Sequence, residues 1–266
     1  MVINQAKEVL RIEAEGILDV AERIGSEFEA AVDTIMNAKG RVIFTGMGKS
    51  GLVCRKVSAT FNSTGTSSLF LHPAEAIHGD LGMVGSDDVI VAISNSGQTA
   101  EINRLLPILR DMGAKIITFT GTPDSPMAIH SDVVIDVGVE REACPLGLAP
   151  TTSTTVALAV GDALAVALLN KRRFSKKDFK RFHPGGNLGE RLSVKVKEVM
   201  LTDANIPSVF LGSPILAAVE EINAKRIGAT LIINNDQQVS GIICDGDLRR
   251  AILEGTDIYQ KKWKIS

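Results

Sequence analysis

The stretch that most constrains the fold is DVIVAISNSGQTAE, at positions 88–101. Its first half, residues 89–93, is an unbroken apolar run with several β-branched side chains, which is typical of a strand buried on both faces of a parallel sheet. A loop rich in hydroxyls follows at 94–99, and from Glu101 onward leucines recur at helical spacing. The stretch therefore predicts a strand, a loop and a helix whose unpaired N–H groups face the loop.

This helix start has the chemistry of an anion site. Ser94, Ser96 and Thr99 offer hydroxyls beside the bare N–H groups, a combination that suits a phosphate monoester. Glu101 lies one turn inside the helix, above the same cleft. A plain N-capping box produces the same pattern, so the loop alone leaves both interpretations open.

Four further apolar runs resemble residues 89–93, and helical patterns separate all five. These runs lie at 41–45, 68–71, 115–120 and 133–137. The alternation predicts an α/β fold, an open five-stranded parallel sheet with helices on both faces and a ligand site at the carboxyl ends of the strands. Two helices over residues 4–38, with a break near Gly25, are expected before the first strand.

Composition excludes several classes of protein. The 266 residues carry a formal net charge of −2, so no overall field recruits nucleic acid or a membrane surface. Three scattered cysteines indicate neither a disulfide framework nor a zinc cluster, and they suit the cytoplasm. The N-terminus is not signal-like, and the longest apolar stretch, 156–169, is shorter than the roughly 20 apolar residues that span a bilayer. The basic segment 171–181 is interpreted as a solvated helix whose phenylalanines dock inward, rather than as a nucleic-acid site.

The glycine-rich turn GMGKSG at 46–51 follows the first predicted strand and opens a helix. A P-loop would need a glycine where Ile43 stands. A dinucleotide-binding fold would need an acid after the next strand, where His72 and Pro73 stand. Neither nucleotide motif fits well, and Lys49 remains as a cation that can meet a phosphate or a developing oxyanion.

Three more segments carry candidate residues. His72 and His78 are six residues apart, a spacing that does not bring two imidazoles onto one helix face, so no two-histidine metal site is expected there.

Glu142 precedes TTSTT, a hydroxyl-rich helix start, and the helix 156–169 is apolar on every face, which predicts burial at an oligomer interface or a central position. A Pro-Gly-Gly turn after His183 predicts a fixed position for that imidazole.

Five motifs, in this order and spacing, resemble those of the D-arabinose 5-phosphate isomerases, which are sugar isomerase (SIS) domain enzymes. The motifs are GMGKSG, HPAEAIHGDLG, SNSGQTAE, EACPLGLAPTTSTT and FHPGGNLG. The resemblance covers residues 1–192 and implies interconversion of D-ribulose 5-phosphate and D-arabinose 5-phosphate through a cis-enediol(ate). It also implies a homotetramer that feeds 3-deoxy-D-manno-octulosonate and lipopolysaccharide synthesis.

Such an isomerisation needs a base, a charge for the oxyanion, a group that opens the cyclic sugar and a grip on the phosphate. The resemblance does not decide which glutamate takes the carbon-bound proton. It implies catalytic roles for Lys49, Glu101, Glu142 and His183.

The resemblance also implies substrate contacts for Gly65, Thr66, His72 and His78. From the residues alone, Gly65 suggests a helix C-cap and His72 a strand-end hydrogen bond. No cofactor is expected, because a 1,2-proton shift through an enediol can proceed without a metal. The resemblance allows zinc as an inhibitor, with His72 as its ligand.

A second function remains open, because SIS domains also serve in regulators that sense sugar phosphates without catalysis. A sensor needs the phosphate loops but not the acid–base set of Glu101, Glu142 and His183. No helix-turn-helix is evident in the sequence, and this favours the enzyme.

The last quarter, residues 193–266, resembles one cystathionine β-synthase (CBS) repeat, a small α+β module. The resemblance rests on VKEVM at 196–200 and VSGIICDGDLRR at 239–250, with a helix predicted at 213–227 and a strand at 230–233. The family's enzymes end in two repeats with a ligand cleft between them, whereas the tail YQKKW resembles no second repeat. Adenosyl-ligand regulation therefore does not carry over to this chain, and a truncated or frame-shifted chain is an alternative.

Overall fold

The computed structural model describes residues 1–183, 196–255 and 257. Contacts divide the chain into two compact units, Met1–Ser193 and Val194–Ser266. The boundary expected between residues 192 and 193 lies outside the described residues. The Pro-Gly-Gly turn after His183 and the YQKKW tail lie outside them as well.

Two helices precede the sheet. Helix α1 spans Val2–Arg23 and α2 spans Ser26–Asn37, so the break predicted near Gly25 is confirmed. Residues 2–8 of α1 are exposed on every side. This part of the helix therefore packs against nothing among the described residues.

Strands alternate with further α-helices through the described part of the first unit, which confirms the predicted alternation. The strands are β1 Val42–Gly46, β2 Ser68–Phe70, β3 Val89–Ile93, β4 Lys115–Thr120 and β5 Val133–Asp136. The helices are α3 Gly48–Ser63, α4 Pro73–Ile77, α5 Ala100–Asp111, α6 Pro126–Ile129, α7 Thr152–Lys171 and α8 Lys176–Phe182.

The strand order β2-β1-β3-β4-β5 determines which loops meet. All neighbouring strands are parallel, and the register sets Gly46 beside Ile93 and Ile93 beside Phe119. The order reverses between β1 and β3, and sheets of this topology open a crevice at the carboxyl ends of the strands beside such a switch point. The loops that follow β1 and β3 therefore share one crevice.

Two hydrophobic cores cover the two faces of the sheet. Phe44 and Val91 pack with α2, α3 and α7 on one face, whereas Ile43 and Ile90 pack with α4 and α5 on the other. All four side chains are fully buried. Alternate residues of one strand thus enter opposite cores, which explains why the strands are apolar throughout.

Helix α7 begins at Thr152, with Thr151 as its N-cap residue, so the helix start predicted at the TTSTT run is confirmed. Its length and composition would allow a membrane span, and half of that span is buried inside the unit. Its outer side is partly exposed among the described residues, where Val166 is 51% exposed.

The second unit is a small α+β module, as predicted. Its elements are α9 Val196–Val199, β6 Ser208–Phe210, α10 Ile215–Lys225, β7 Ala229–Ile233, β8 Val239–Cys244 and α11 Asp245–Leu253. Strand β7 pairs in parallel with β6 and antiparallel with β8. A core that includes Val209, Ile222 and Leu248 holds the helices on this sheet.

Candidate active site

The loop after β3 folds into a tight turn that leads into α5. Ser94 is 4% exposed, and its hydroxyl lies 2.8 Å from Thr99 Oγ1 and accepts the N–H of Gly97 at 3.2 Å. Gly97 has a φ of +62°, and a Cβ there would lie 2.0 Å from Ser125 Oγ, so no larger residue fits. Ser94 therefore shapes the loop from inside, whereas Ser96 is exposed and available to a ligand.

The first turn of α5 is open. Thr99 is the N-cap residue, but no side chain caps the helix, so the first N–H groups keep the partial positive charge of the helix end. Glu101 follows in the first turn and is half-buried. Among the described residues it has no hydrogen-bond or ion-pair partner, which leaves its carboxylate available to a substrate.

Lys49 occupies the second position of α3, directly after the turn that ends β1. A cation in the first turn of a helix is disfavoured by the helix dipole. The side chain is exposed, and the described part of the chain supplies no acidic partner for it. A ligand anion at this edge of the sheet would compensate the charge.

Glu142 is held at the start of α7 by four hydrogen bonds. Its Oε2 accepts the N–H of Thr151 at 2.8 Å, the hydroxyl of Thr151 at 3.0 Å and the N–H of Ser153 at 3.3 Å. Its Oε1 accepts a very short hydrogen bond from the Ser153 hydroxyl. Burial by itself raises the pKa of Glu142, but the hydrogen bonds from Ser153 and Thr151 outweigh burial and hold the pKa below its ordinary value. Glu142 is therefore ionised at neutral pH.

A cavity of about 250 Å³ lies between the start of α3, the loop after β3 and the start of α7. Ser50 of α3, Asn95 after β3, and Glu142 and Ser153 at the start of α7 line it, and the loop 147–150 forms one wall. Among the described residues that line this cavity, Glu142 is the one ionisable side chain. A substrate in the cavity would meet this carboxylate first.

The two histidines of the third motif flank α4. His72 is the N-cap residue, and its Nδ1 accepts the N–H of Ala74 at 3.3 Å, so the strand-end hydrogen bond predicted for it is confirmed. The proton of the neutral ring is then on Nε2, which points away from that bond. His78 is the C-cap residue of α4 and is exposed. Both histidines lie on the carboxyl side of β2.

Gly65 and Thr66 lie beyond the opposite end of α3. The N–H of Thr66 donates to Phe61 O at 2.9 Å and that of Gly65 to Asn62 O at 3.5 Å, the pattern of a Schellman C-cap. Gly65 has a φ of +90°, and a Cβ on it would lie 2.5 Å from the ring of Phe174. The helix C-cap predicted for Gly65 is therefore confirmed.

His183 lies at the same end of α3. Its Nε2 is 2.7 Å from Ser63 Oγ, its Nδ1 is 2.9 Å from Phe179 O, and its ring stacks on Phe179 with the centroids 3.9 Å apart. Because a carbonyl only accepts, Nδ1 carries the proton and Nε2 accepts from the Ser63 hydroxyl. Ser63 ends α3 and Lys49 is near its start, so about 21 Å of helix separate them.

Within one chain the predicted site residues form two groups at opposite edges of the sheet. The group at the carboxyl edge comprises Lys49, His72, His78, Ser94, Ser96, Thr99, Glu101 and Glu142. The group at the amino edge comprises Gly65, Thr66 and His183. A single chain therefore does not bring all of these residues to one site.

Sequence patterns alone miss the partners of Glu142. Thr151 and Ser153 belong to the TTSTT run, where serine and threonine, the residues preferred at helix starts, were the available signal. Ser50 and Asn95 line the cavity, but neither belongs to a pattern that would predict this role. They line the cavity because the segments that follow β1, β3 and β5 lie side by side there, although these segments are far apart in sequence.

Comparison with known proteins gives matches over both units. The SIS domain family matches residues 34–167, and the CBS domain family matches residues 196–254. The chain is 48% identical to arabinose 5-phosphate isomerase KdsD of Pseudomonas aeruginosa over 258 residues, which are 97% of this chain and 79% of that relative. It is also 48% identical to arabinose 5-phosphate isomerase KdsD of Escherichia coli K12 over 254 residues, 96% of this chain and 77% of that one.

A solved structure matches the first unit. It is an E. coli CFT073 protein in complex with arabinose 5-phosphate, which is 46% identical and superposes with a TM-score of 0.67. The match covers 69% of this chain and 97% of that chain. The similarity therefore spans nearly the whole of the solved chain.

Proposed function

The chain belongs to the arabinose 5-phosphate isomerase family of SIS-domain enzymes with a CBS region, and we propose that it interconverts D-ribulose 5-phosphate and D-arabinose 5-phosphate. The observation that carries the proposal is the ionised carboxylate of Glu142, which faces a cavity lined by Ser50 at the start of α3 and by Asn95 in the loop that leads to α5. The related E. coli structure with bound arabinose 5-phosphate supports a pentose phosphate as the ligand.

The phosphate binds at the start of α5. The uncapped N–H groups of the first turn donate to it together with the hydroxyls of Ser96 and Thr99, while Ser94 holds the loop in shape. Hydrogen bonds to a charged group contribute about 1.5–3 kcal/mol each. Binding of the phosphate at this place holds carbons 1 and 2 of the sugar near Glu142. The base and the sugar then react within one complex, so the entropy cost of bringing them together is no longer part of the barrier.

Glu142 is the base that moves the carbon-bound proton. It takes a proton from C1 of the ketose, the C–H electron pair forms the C1=C2 bond, and the carbonyl oxygen on C2 becomes an oxyanion that Lys49 stabilises. Glu101 transfers the O1 proton to O2. The C1=O bond then forms as C2 takes the proton back from Glu142, which gives the aldose.

His183 completes the site from a neighbouring subunit, together with Gly65 and Thr66. These three residues lie at the far end of α3 from Lys49, and His183 is fixed there by its hydrogen bond to Ser63. An imidazole at that place can open the cyclic sugar of an adjacent subunit.

A homotetramer is the proposed assembly. Leu10 and Leu18 on α1 are 68% and 65% exposed, and Val166 on α7 is 51% exposed. Exposed apolar side chains of this kind are typical of surfaces that contact another subunit.

The proposed reaction requires no cofactor, because a base and a fixed charge are sufficient for an enediol shift. Zinc on His72 would inhibit by blocking the carboxyl edge. We place the enzyme in the cytoplasm, where its product would supply octulosonate and lipopolysaccharide synthesis.

A non-catalytic sugar-phosphate sensor is the weaker alternative, since a sensor has no need of an ionised carboxylate in the cavity. The test supplies D-arabinose 5-phosphate or its C2 epimer D-ribose 5-phosphate and measures D-ribulose 5-phosphate. Conversion of the arabinose ester and not of the ribose ester supports the proposal. Calorimetric binding of either ester without conversion would favour the sensor.

A further inference from the structure

Among the described residues, the carboxylate of Glu142 accepts hydrogen bonds from two, Thr151 and Ser153. Thr151 donates both its N–H and its hydroxyl to Oε2, and Ser153 donates its N–H to Oε2 and its hydroxyl to Oε1. Ser153 is 4% exposed, so its hydroxyl cannot turn to water instead. The two donors fix both oxygens and therefore the orientation of the carboxylate in the cavity.

Thr151 also anchors the loop that walls the cavity. Its hydroxyl oxygen accepts the N–H of Ala143 at 2.9 Å and the N–H of Cys144 at 3.3 Å while it donates to Glu142. The loop between Cys144 and Thr151, whose residues Gly147, Leu148 and Pro150 line the cavity, is therefore closed at its base by this hydroxyl. The Thr151 hydroxyl therefore binds both the loop that lines the cavity and the Glu142 carboxylate, so the conformation of the loop and the position of the carboxylate depend on each other.

Few charged groups surround this arrangement. From α1, Glu13 Oε2 accepts the hydroxyl of Thr155 at 3.1 Å, and Glu15 pairs with Arg141 at 3.7 Å. Cys144 lies in the loop itself. No other ionisable side chain among the described residues lines the cavity beside Glu142. Hydrogen bonding, rather than a neighbouring charge, governs how this carboxylate titrates.

We propose that Ser153 and Thr151 are positioning residues for the isomerisation, because their four hydrogen bonds hold the Glu142 carboxylate aimed at carbons 1 and 2 of the sugar. The inference rests on the proposed function. Neither residue touches the reacting atoms, and each acts through the glutamate.

Ser153→Ala is the decisive variant, because it removes one donor and leaves the helix backbone in place. It should raise the pKa of Glu142 by about one unit, the size expected when one hydrogen bond to a charged group is lost. Thr155→Val is the matched control. Thr155 lies in the same helical turn as Ser153, but its hydroxyl donates to Glu13 and not to Glu142. The control therefore deletes a hydroxyl without removing a hydrogen bond from the Glu142 carboxylate.

The first measurement needs no turnover. Carboxyl ¹³C NMR of glutamate-labelled protein, with the Glu142 signal assigned from its loss in Glu142→Gln, gives the titration of that group directly. An upward shift in Ser153→Ala with no shift in Thr155→Val is expected. An unchanged titration in Ser153→Ala would overturn the proposal whatever the activity.

The second measurement is the pH profile of kcat/KM. Its acidic limb should move upward by the same amount in Ser153→Ala, because Glu142 must be ionised to act as the base. Titration of the substrate phosphate is common to both proteins and cancels in the comparison. Thr151→Val should lower kcat more than it raises KM, and Thr151→Ser should restore it.

The outcomes separate the two proposals. A uniform loss of kcat/KM at every pH, with no displaced limb, would indicate a merely structural role and overturn the inference. If the wild type converts no sugar phosphate, the proposed function fails, and the NMR titration still decides whether the two residues control Glu142.

Discussion

Two inactive variants, Glu142→Gln and His183→Ala, should restore each other's activity when their subunits exchange. The reason lies in α3, which carries Lys49 near its start and, at its end, Ser63, the residue that holds His183. About 21 Å of helix separate these ends, a distance that no imidazole side chain spans. A site that uses both Lys49 and His183 must therefore draw them from two chains.

The expected recovery follows from the composition of the sites. After random exchange of equal amounts, half of the sites draw an intact Glu142 from one chain, and half of those meet an intact His183 from the other. The mixture should therefore show about a quarter of wild-type turnover. Each variant incubated alone should stay inactive, because every one of its sites lacks one of the two groups.

The assay requires proof of exchange. The variants are dissociated and reassociated together, native mass spectrometry with one isotope-labelled partner measures the hybrids, and turnover of D-arabinose 5-phosphate is recorded on the same sample. Glu142→Gln mixed with Lys49→Ala is the matched control. These two residues come from one chain, so no hybrid contains an intact site and no recovery is expected.

The reasoning is refuted if hybrids form fully and turnover does not return. His183 would then act within its own chain or have no part in the reaction. Equal recovery in the control mixture would also count against the shared site, because it would not depend on which residues share a chain.

Three further predictions follow from the same contacts. Replacing Ser94 and Ser96 together by alanine should raise KM about tenfold or more, through lost hydrogen bonds to the phosphate and a loosened loop, and an unchanged KM in steady-state assay would contradict this. Gly65→Ala should destabilise the protein by about 1–3 kcal/mol, measured as a lower Tm, because the residue has a φ of +90°. Protein treated with EDTA should keep full turnover, and His72→Ala should lose inhibition by zinc; turnover abolished by EDTA and restored by zinc would show that the metal is required.

The strands were predictable because their signal is local. Residues 89–93 and 115–120 are confirmed as β3 and β4 at the predicted bounds, since an apolar run between polar turns has one simple interpretation in a layered fold. The start of α7 was predictable as well, because serine and threonine are preferred at helix starts and the helix begins within the TTSTT run.

The arrangement of the site was less predictable, because it depends on contacts between distant segments. The C-cap at Gly65 is a local feature and could be inferred from the residue type. Nothing local indicates that His183 meets Ser63, 120 residues away, or that Glu142 is held by the helix that follows it. Resemblance to a family can indicate which residues matter, but the division into two groups required the fold.

The most direct test of isomerase activity compares the wild type with Glu142→Gln on D-arabinose 5-phosphate, followed by ¹H NMR in D₂O. The wild type should convert the sugar to D-ribulose 5-phosphate. Glu142→Gln should bind the sugar phosphate with similar affinity, since α5 and its loop are unchanged, yet form no ketose. A wild type that binds D-arabinose 5-phosphate without converting it, or a Glu142→Gln variant that converts it at the wild-type rate, would contradict the assignment of this carboxylate as the base of an isomerase.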